Sequence, residues 1–238
     1  MKKSIGLFSL LLTLAALSAA ERNAFQCNFS QGLKPQYSAS PVQALTNASI
    51  TTTGTGKAIR VGKKTDGSIV RLAYRLQNPS VSEDNTPFPI KCGRLTFRFK
   101  PVDWKIGSKD FNMLMFFTGP GKERVHVIYL TPKVTGKPSI QVCYGTPGLK
   151  AGTPKKVTAL FPFVALDASK EWHEVEVEWN EASLNLTVDG ESQLIATSIL
   201  ELPQSFTADM LVIGSFDRST LAGLTDITDI RIYGDDGK

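Results

Sequence analysis

Short runs of alternating apolar and polar residues, interrupted by Gly, Pro, Asn and Asp, succeed one another from Ala24 to Tyr233. A period of two marks a strand with one buried face, and no long stretch keeps the three-to-four spacing of an amphipathic helix. Phe25, Cys27 and Phe29 share one side of 24–29, and Val70, Leu72, Tyr74 and Leu76 share one side of 69–76, with Arg71 and Arg75 opposite. In 93–100, Leu95, Phe97 and Phe99 alternate with Arg94, Arg98 and Lys100. The run 112–117 is apolar almost throughout, which predicts a strand covered on both faces. Further runs occupy 125–130 and 139–144. In 173–179, His173, Val175, Val177 and Trp179 oppose Glu174, Glu176 and Glu178. After a turn at 180–182, Leu184, Leu186 and Val188 form the next inward row, and Asp189-Gly190 supplies a hairpin turn. Runs at 210–214 and 227–233 bring the total to about ten strands. A short helix is expected over 196–202 and a loop over 150–166, which holds Pro154 and Pro162. With no internal repeat, this pattern predicts an all-β chain, a two-sheet antiparallel β-sandwich or jelly roll.

The first residues do not belong to that pattern. Lys2 and Lys3 precede an apolar stretch, Ile5 to Leu17, and Ser18-Ala19-Ala20 gives a small-residue exit. This predicts a signal peptide over 1–20 and a single exported domain over 21–238, in the periplasm, at the cell surface or outside the cell. The apolar stretch is shorter than the roughly 20 residues that span a bilayer, and no later one is long enough, so no membrane span is expected. Setting aside Lys2 and Lys3 lowers the formal net charge from +5 to +3. The basic residues form no tract, which argues against nucleic acid as a partner. Cys27, Cys92 and Cys143 in an exported chain predict one disulfide and one free thiol, with the pairing open. The three are far apart with no His at ligand spacing, which argues against zinc.

Four stretches together resemble the concanavalin A-like lectin/glucanase superfamily in its laminin-G-like form. Trp172-His173-x-Val175-x-Val177-x-Trp179 followed by Leu184-x-Leu186-x-Val188-Asp189-Gly190 is similar to the family's WHxVxV…LxLxVDG hairpin. Leu224 to Tyr233 resembles its closing strand, Gly54 to Arg60 its early turn and strand, and Gly93 to Pro101 a strand ending in Lys-Pro. The resemblance implies a concanavalin-like jelly roll. It also implies a calcium ion near the first and last strands, with Asp226 and Asp229 as the matching acids; the first-strand position, 28–32, has no carboxylate, which weakens such a site.

Three glutamates on one strand face invite comparison with the carboxylate pair of a glycoside hydrolase. In laminarinase-type relatives the catalytic acids lie on an earlier strand, and the matching region here, roughly 111–130, offers Glu123 alone beyond Asp110. A general acid also needs a pKa raised by burial or by a close like charge. Glu174, Glu176 and Glu178 are therefore expected to be solvated or paired with the outward Arg and Lys rows. The two histidines have no evident nucleophile beside them, and no G-x-S-x-G or phosphate-binding glycine loop is present. The expected function is non-catalytic: recognition of carbohydrate, or of another extracellular or envelope partner. Trp104, in a polar turn, is the candidate stacking platform, with Tyr129 a second aromatic, and Arg98 among the cations that would favour an anionic glycan. The alternative is a polysaccharide hydrolase or lyase on the same scaffold.

Overall fold

The computed structural model describes residues 21–54, 56–78, 86–89, 92–104, 112–118, 124–130, 136–145, 162–180, 183–196, 208–214 and 223–235. The expected signal peptide 1–20, Glu123, positions 150–161 of the expected loop and 197–202 of the expected helix lie outside them, and Ala196, the expected start of that helix, ends a strand. Every element among the described residues is a strand. In chain order these are β1 (Glu21–Cys27), β2 (Tyr37–Ser38), β3 (Val42–Thr46), β4 (Ser49–Thr53), β5 (Gly56–Lys63), β6 (Ile69–Val70), β7 (Leu72–Leu76), β8 (Gly93–Pro101), β9 (Asn112–Thr118), β10 (Arg124–Leu130), β11 (Ser139–Gly145), β12 (Phe163–Ala165), β13 (His173–Trp179), β14 (Ser183–Val188), β15 (Glu191–Ala196), β16 (Met210–Ile213) and β17 (Leu224–Asp235).

Ten strands form one sheet in the order β15-β14-β13-β8-β17-β1-β2, with β5 on the β1 side of β17 and β4 and β6 on β5. Seven form the other, β12-β11-β10-β9-β16-β7-β3. All pairings are antiparallel, and the chain is an antiparallel β-sandwich. The interior is built from the alternating residues: Phe97, Phe99, Val177 and Leu186 from one sheet meet Leu72, Phe117, Val142 and Leu211 from the other. Burying each such side chain contributes about 1.5–3 kcal/mol. An aromatic relay crosses the gap, with ring centroids 5.8 Å apart for Phe25–Phe88, 6.2 Å for Phe88–Phe117 and 5.9 Å for Phe117–Trp179.

The run 69–76 is not one strand. β6 pairs with β5 in the ten-stranded sheet, and β7 pairs with β3 and β16 in the seven-stranded one. The chain changes sheets at Arg71, whose N–H donates to Asn47 Oδ1 at 2.9 Å, while Asn47 Nδ2 donates to the Ile69 carbonyl at 2.8 Å. Alternation survives such a switch because both halves still point into the same gap. The expected loop 150–166 contains β12. Beyond the Asp189-Gly190 turn, 191–196 adds β15, a strand that the alternation does not single out.

The seven-stranded sheet carries a second apolar row on its far side. Register places Leu45, Ala73, Val212 and Phe116 side by side across β3, β7, β16 and β9. Val212 is fully buried, and Ala73 and Phe116 are 3% exposed. The nearly continuous apolar run of β9 has this cause.

The expected disulfide is not formed by Cys27 or Cys92. Cys27 lies in the interior, 3.2 Å from the Tyr74 hydroxyl, and burial pushes its thiol up. Tyr74 donates to the Leu33 carbonyl at 2.8 Å. The side chain of Cys143 lies outside the described residues.

Candidate functional site

Register builds the charged face of the ten-stranded sheet. β13 runs antiparallel to β8 with Glu174 opposite Arg98, Glu176 opposite Thr96 and Glu178 opposite Arg94. Arg98 Nε stands 3.6 Å from Glu174, Arg94 Nη1 donates to Glu176 at 3.3 Å, and Lys100 pairs with Glu171. On the other flank, β17 breaks register between Thr228 and Arg231, and Asp229 adopts a left-handed φ of 53°. That bulge turns the Asp229 carboxylate onto Arg98, 3.5 Å away. Arg98 also lies 5.4 Å over the Trp172 ring. The glutamate row is thus one side of an ion-pair ladder, in which each solvent-facing pair contributes about 0–1 kcal/mol.

Two hollows open on this face among the described residues. The broader, about 430 Å³, lies over β8, β13, β14 and β17 and is lined by Arg98, Glu174, Glu176, Thr187, Asp229 and Arg231, among others. With Asp189 also in its wall, carboxylates outnumber guanidinium groups. The cations expected to attract an anionic glycan are largely matched by acids on neighbouring strands.

The second hollow, about 310 Å³, sits at the end of the sheet, where Trp179, Gly93 and Gly234 align across β13, β8 and β17. The room left by the two glycines is taken up by the Trp179 ring, Pro89 and Arg22. A methyl group at Gly93 would come within 2.8 Å of Trp179 Cζ2 and 2.8 Å of the Tyr233 carbonyl oxygen. Tyr233, Asn185, Glu178 and Leu194 complete the walls, with Arg94 resting 4.5 Å above the Tyr233 ring. Asn185 Nδ2 donates to Glu178 Oε2 at 3.4 Å. Leu194 is 67% exposed. The Trp179 indole N–H is buried without a hydrogen-bond partner among the described residues.

His173 serves the fold. Its Nδ1 lies 2.7 Å from Asp189 Oδ2, and its ring stacks on Phe99 at 5.1 Å. Asp189 also accepts from the Glu174 N–H at 3.0 Å. Asp189 and Gly190 have φ of 55° and 93°, the left-handed pair of a two-residue hairpin turn. The clamp has no hydroxyl or thiol among its described contacts.

The other expected site residues are dispersed. Trp104 is not an exposed platform: its ring stacks on Phe99 at 5.8 Å and its N–H donates to Thr225 Oγ1 at 2.9 Å. Tyr129 is in register with Ile140, a core position, and its side chain lies outside the described residues. Both Asp226 oxygens accept from Arg60, at 2.7 and 2.8 Å, and Asp229 faces Arg98. A calcium ion at these two acids would compete with two guanidinium groups. Among the described residues, no three His, Cys, Asp or Glu side chains gather as a metal site. No helix among them is long and apolar enough to cross a membrane.

No family model matches the chain, and no curated protein sequence matches it. Solved structures do match in fold. The receptor-binding domain of the botulinum neurotoxin C/D mosaic serotype superposes with a TM-score of 0.60 at 12% identity, over 89% of this chain and 47% of the other. A botulinum neurotoxin type C structure, described by the dependence of cell entry on two ganglioside molecules, gives 0.60 at 7%, over 89% and 47%. The binding domain of botulinum neurotoxin DC in complex with SialylT gives 0.57 at 9%, over 88% and 46%. The chain spans about half the length of these domains. At this identity the likeness is one of fold.

Proposed function

We propose that the chain is an exported, non-catalytic carbohydrate-binding domain whose ligand lies on the outer face of the ten-stranded sheet. The observation that carries this reading is the pair of hollows on that face, rimmed by amide, hydroxyl, carboxylate and guanidinium groups and, in one, by a tyrosine ring. A pyranose presents the complement: hydroxyls that donate and accept, and an apolar ring face suited to a flat side chain. The fold relatives support it, because one is described by its interaction with gangliosides and another by its complex with SialylT. Glycoside hydrolysis fits less well: its acid is a carboxyl kept protonated by burial or a like charge. Here Glu174 is three-quarters exposed and Glu176 about one-third, and arginines face both.

A glycan array probed with purified 21–238, with and without calcium, tests the reading. Binding to a restricted set of glycans is expected. Silence in both conditions would remove it, and loss of binding on chelation would bring Asp226 and Asp229 back as metal ligands.

A further inference from the structure

We infer that the end hollow, walled by Trp179, Tyr233, Asn185 and Leu194, is the sugar-contacting subsite, and that it takes one uncharged pyranose residue at the end of a glycan. This rests on the carbohydrate-binding reading and says where, and to which class of sugar, that binding occurs. Three observations carry it. At about 310 Å³ the hollow stands at the small end of the roughly 300–1,000 Å³ range of ligand sites, room for one ring and not a run of them. Its charged lining is balanced, with Arg94 against Glu178, whereas the broader hollow is acidic. It joins polar groups that suit hydroxyls, from Asn185 and Glu178, to apolar surface from Tyr233 and an outward leucine. The Trp179 ring, packed inward against Phe117, lies beneath Gly93 of the lining, so its indole signal is a local reporter of occupancy.

The test is a titration of nitrogen-labelled 21–238 with the methyl glycosides of glucose, galactose, mannose and N-acetylglucosamine, and with sialyllactose as the anionic counterpart. The indole N–H resonances are followed and assigned with Trp179→Phe. A neutral glycoside is expected to shift the Trp179 signal and to bind more tightly than sialyllactose. Asn185→Ala and Leu194→Glu, both at outer-face positions, should each weaken it about three- to tenfold, while Arg231→Ala in the broader hollow leaves it unchanged. Binding that leaves the Trp179 signal in place and is lost in Arg231→Ala would overturn the subsite while sparing the carbohydrate reading. So would preference for sialyllactose. No binding of any sugar here or on the array would remove both.

Discussion

The outer faces of the two sheets are built from opposite materials. On the ten-stranded sheet the outward positions are Arg94, Arg98 and Lys100 against Glu171, Glu174 and Glu176, paired across strands and open to water. On the seven-stranded sheet the equivalent row is Leu45, Ala73, Val212 and Phe116, and the last three are buried although they point away from the interior. The first face keeps its polar groups available to a ligand. The second is covered surface and adds to the stability of the sandwich. The same alternation generates both, and what fills the outward positions decides which face can bind.

The sharpest way to break this contrast is Val212→Asp. An unpaired carboxylate in that row should cost about 4 kcal/mol or more, against less than about 0.5 for Glu178→Gln on the charged face. Denaturant midpoints for the two variants measure the difference, and similar values would mean that the apolar row is not covered. Asp226→Ala comes next. Asp226 is the buried member of the charged face, and its removal strands Arg60, itself 38% exposed at the side chain. A loss of about 2–3 kcal/mol is expected, below the full cost of breaking a buried pair. A double-mutant cycle with Arg60→Ala separates the pair from the packing. Glu174→Gln and Glu176→Gln should each cost about 0–1 kcal/mol, and the cost should vanish near 1 M salt; an effect indifferent to salt would mean the ladder is not electrostatic. The smallest effect concerns Asp209, just before β16. Burial pushes its carboxyl up, against the pull of its own backbone hydrogen bond and of Arg75. The unfolded chain therefore loses that proton first, and stability falls as pH rises from the ordinary carboxylate range through the raised value. Asp209→Asn should gain on the wild type at neutral pH and lose that gain in acid, as urea midpoints at the two pH values would record.

The hairpin from His173 to Gly190 is legible in the sequence because everything that fixes it is local: the alternation, the Asp-Gly turn, and the inward Val175, Val177 and Trp179. Local pattern also foretells the doubly covered β9. It cannot foretell the switch at Arg71, where one unbroken alternation belongs to two sheets. Trp104 defeats a local reading for a similar reason: its turn is polar in sequence, but its N–H bonds Thr225, 121 residues away. The end hollow needs register as well. Arg94, Glu178, Asn185, Leu194 and Tyr233 are scattered along the chain, and share one wall only when β8, β13, β14, β15 and β17 set them side by side. Asp226 advertises its acidity in the sequence, but not the arginine across the strand that already holds it.

The position of β17 has a consequence for how the chain is made. It lies between β8 on one side and β5 and β1 on the other, and Glu21 at the start of β1 faces Asp235 at the end of β17. A nascent chain still lacking 224–235 has no strand to join these pieces. The ten-stranded sheet closes only once that dozen joins β8 to β5 and β1, while β8, β13, β14 and β15 can already pair with one another.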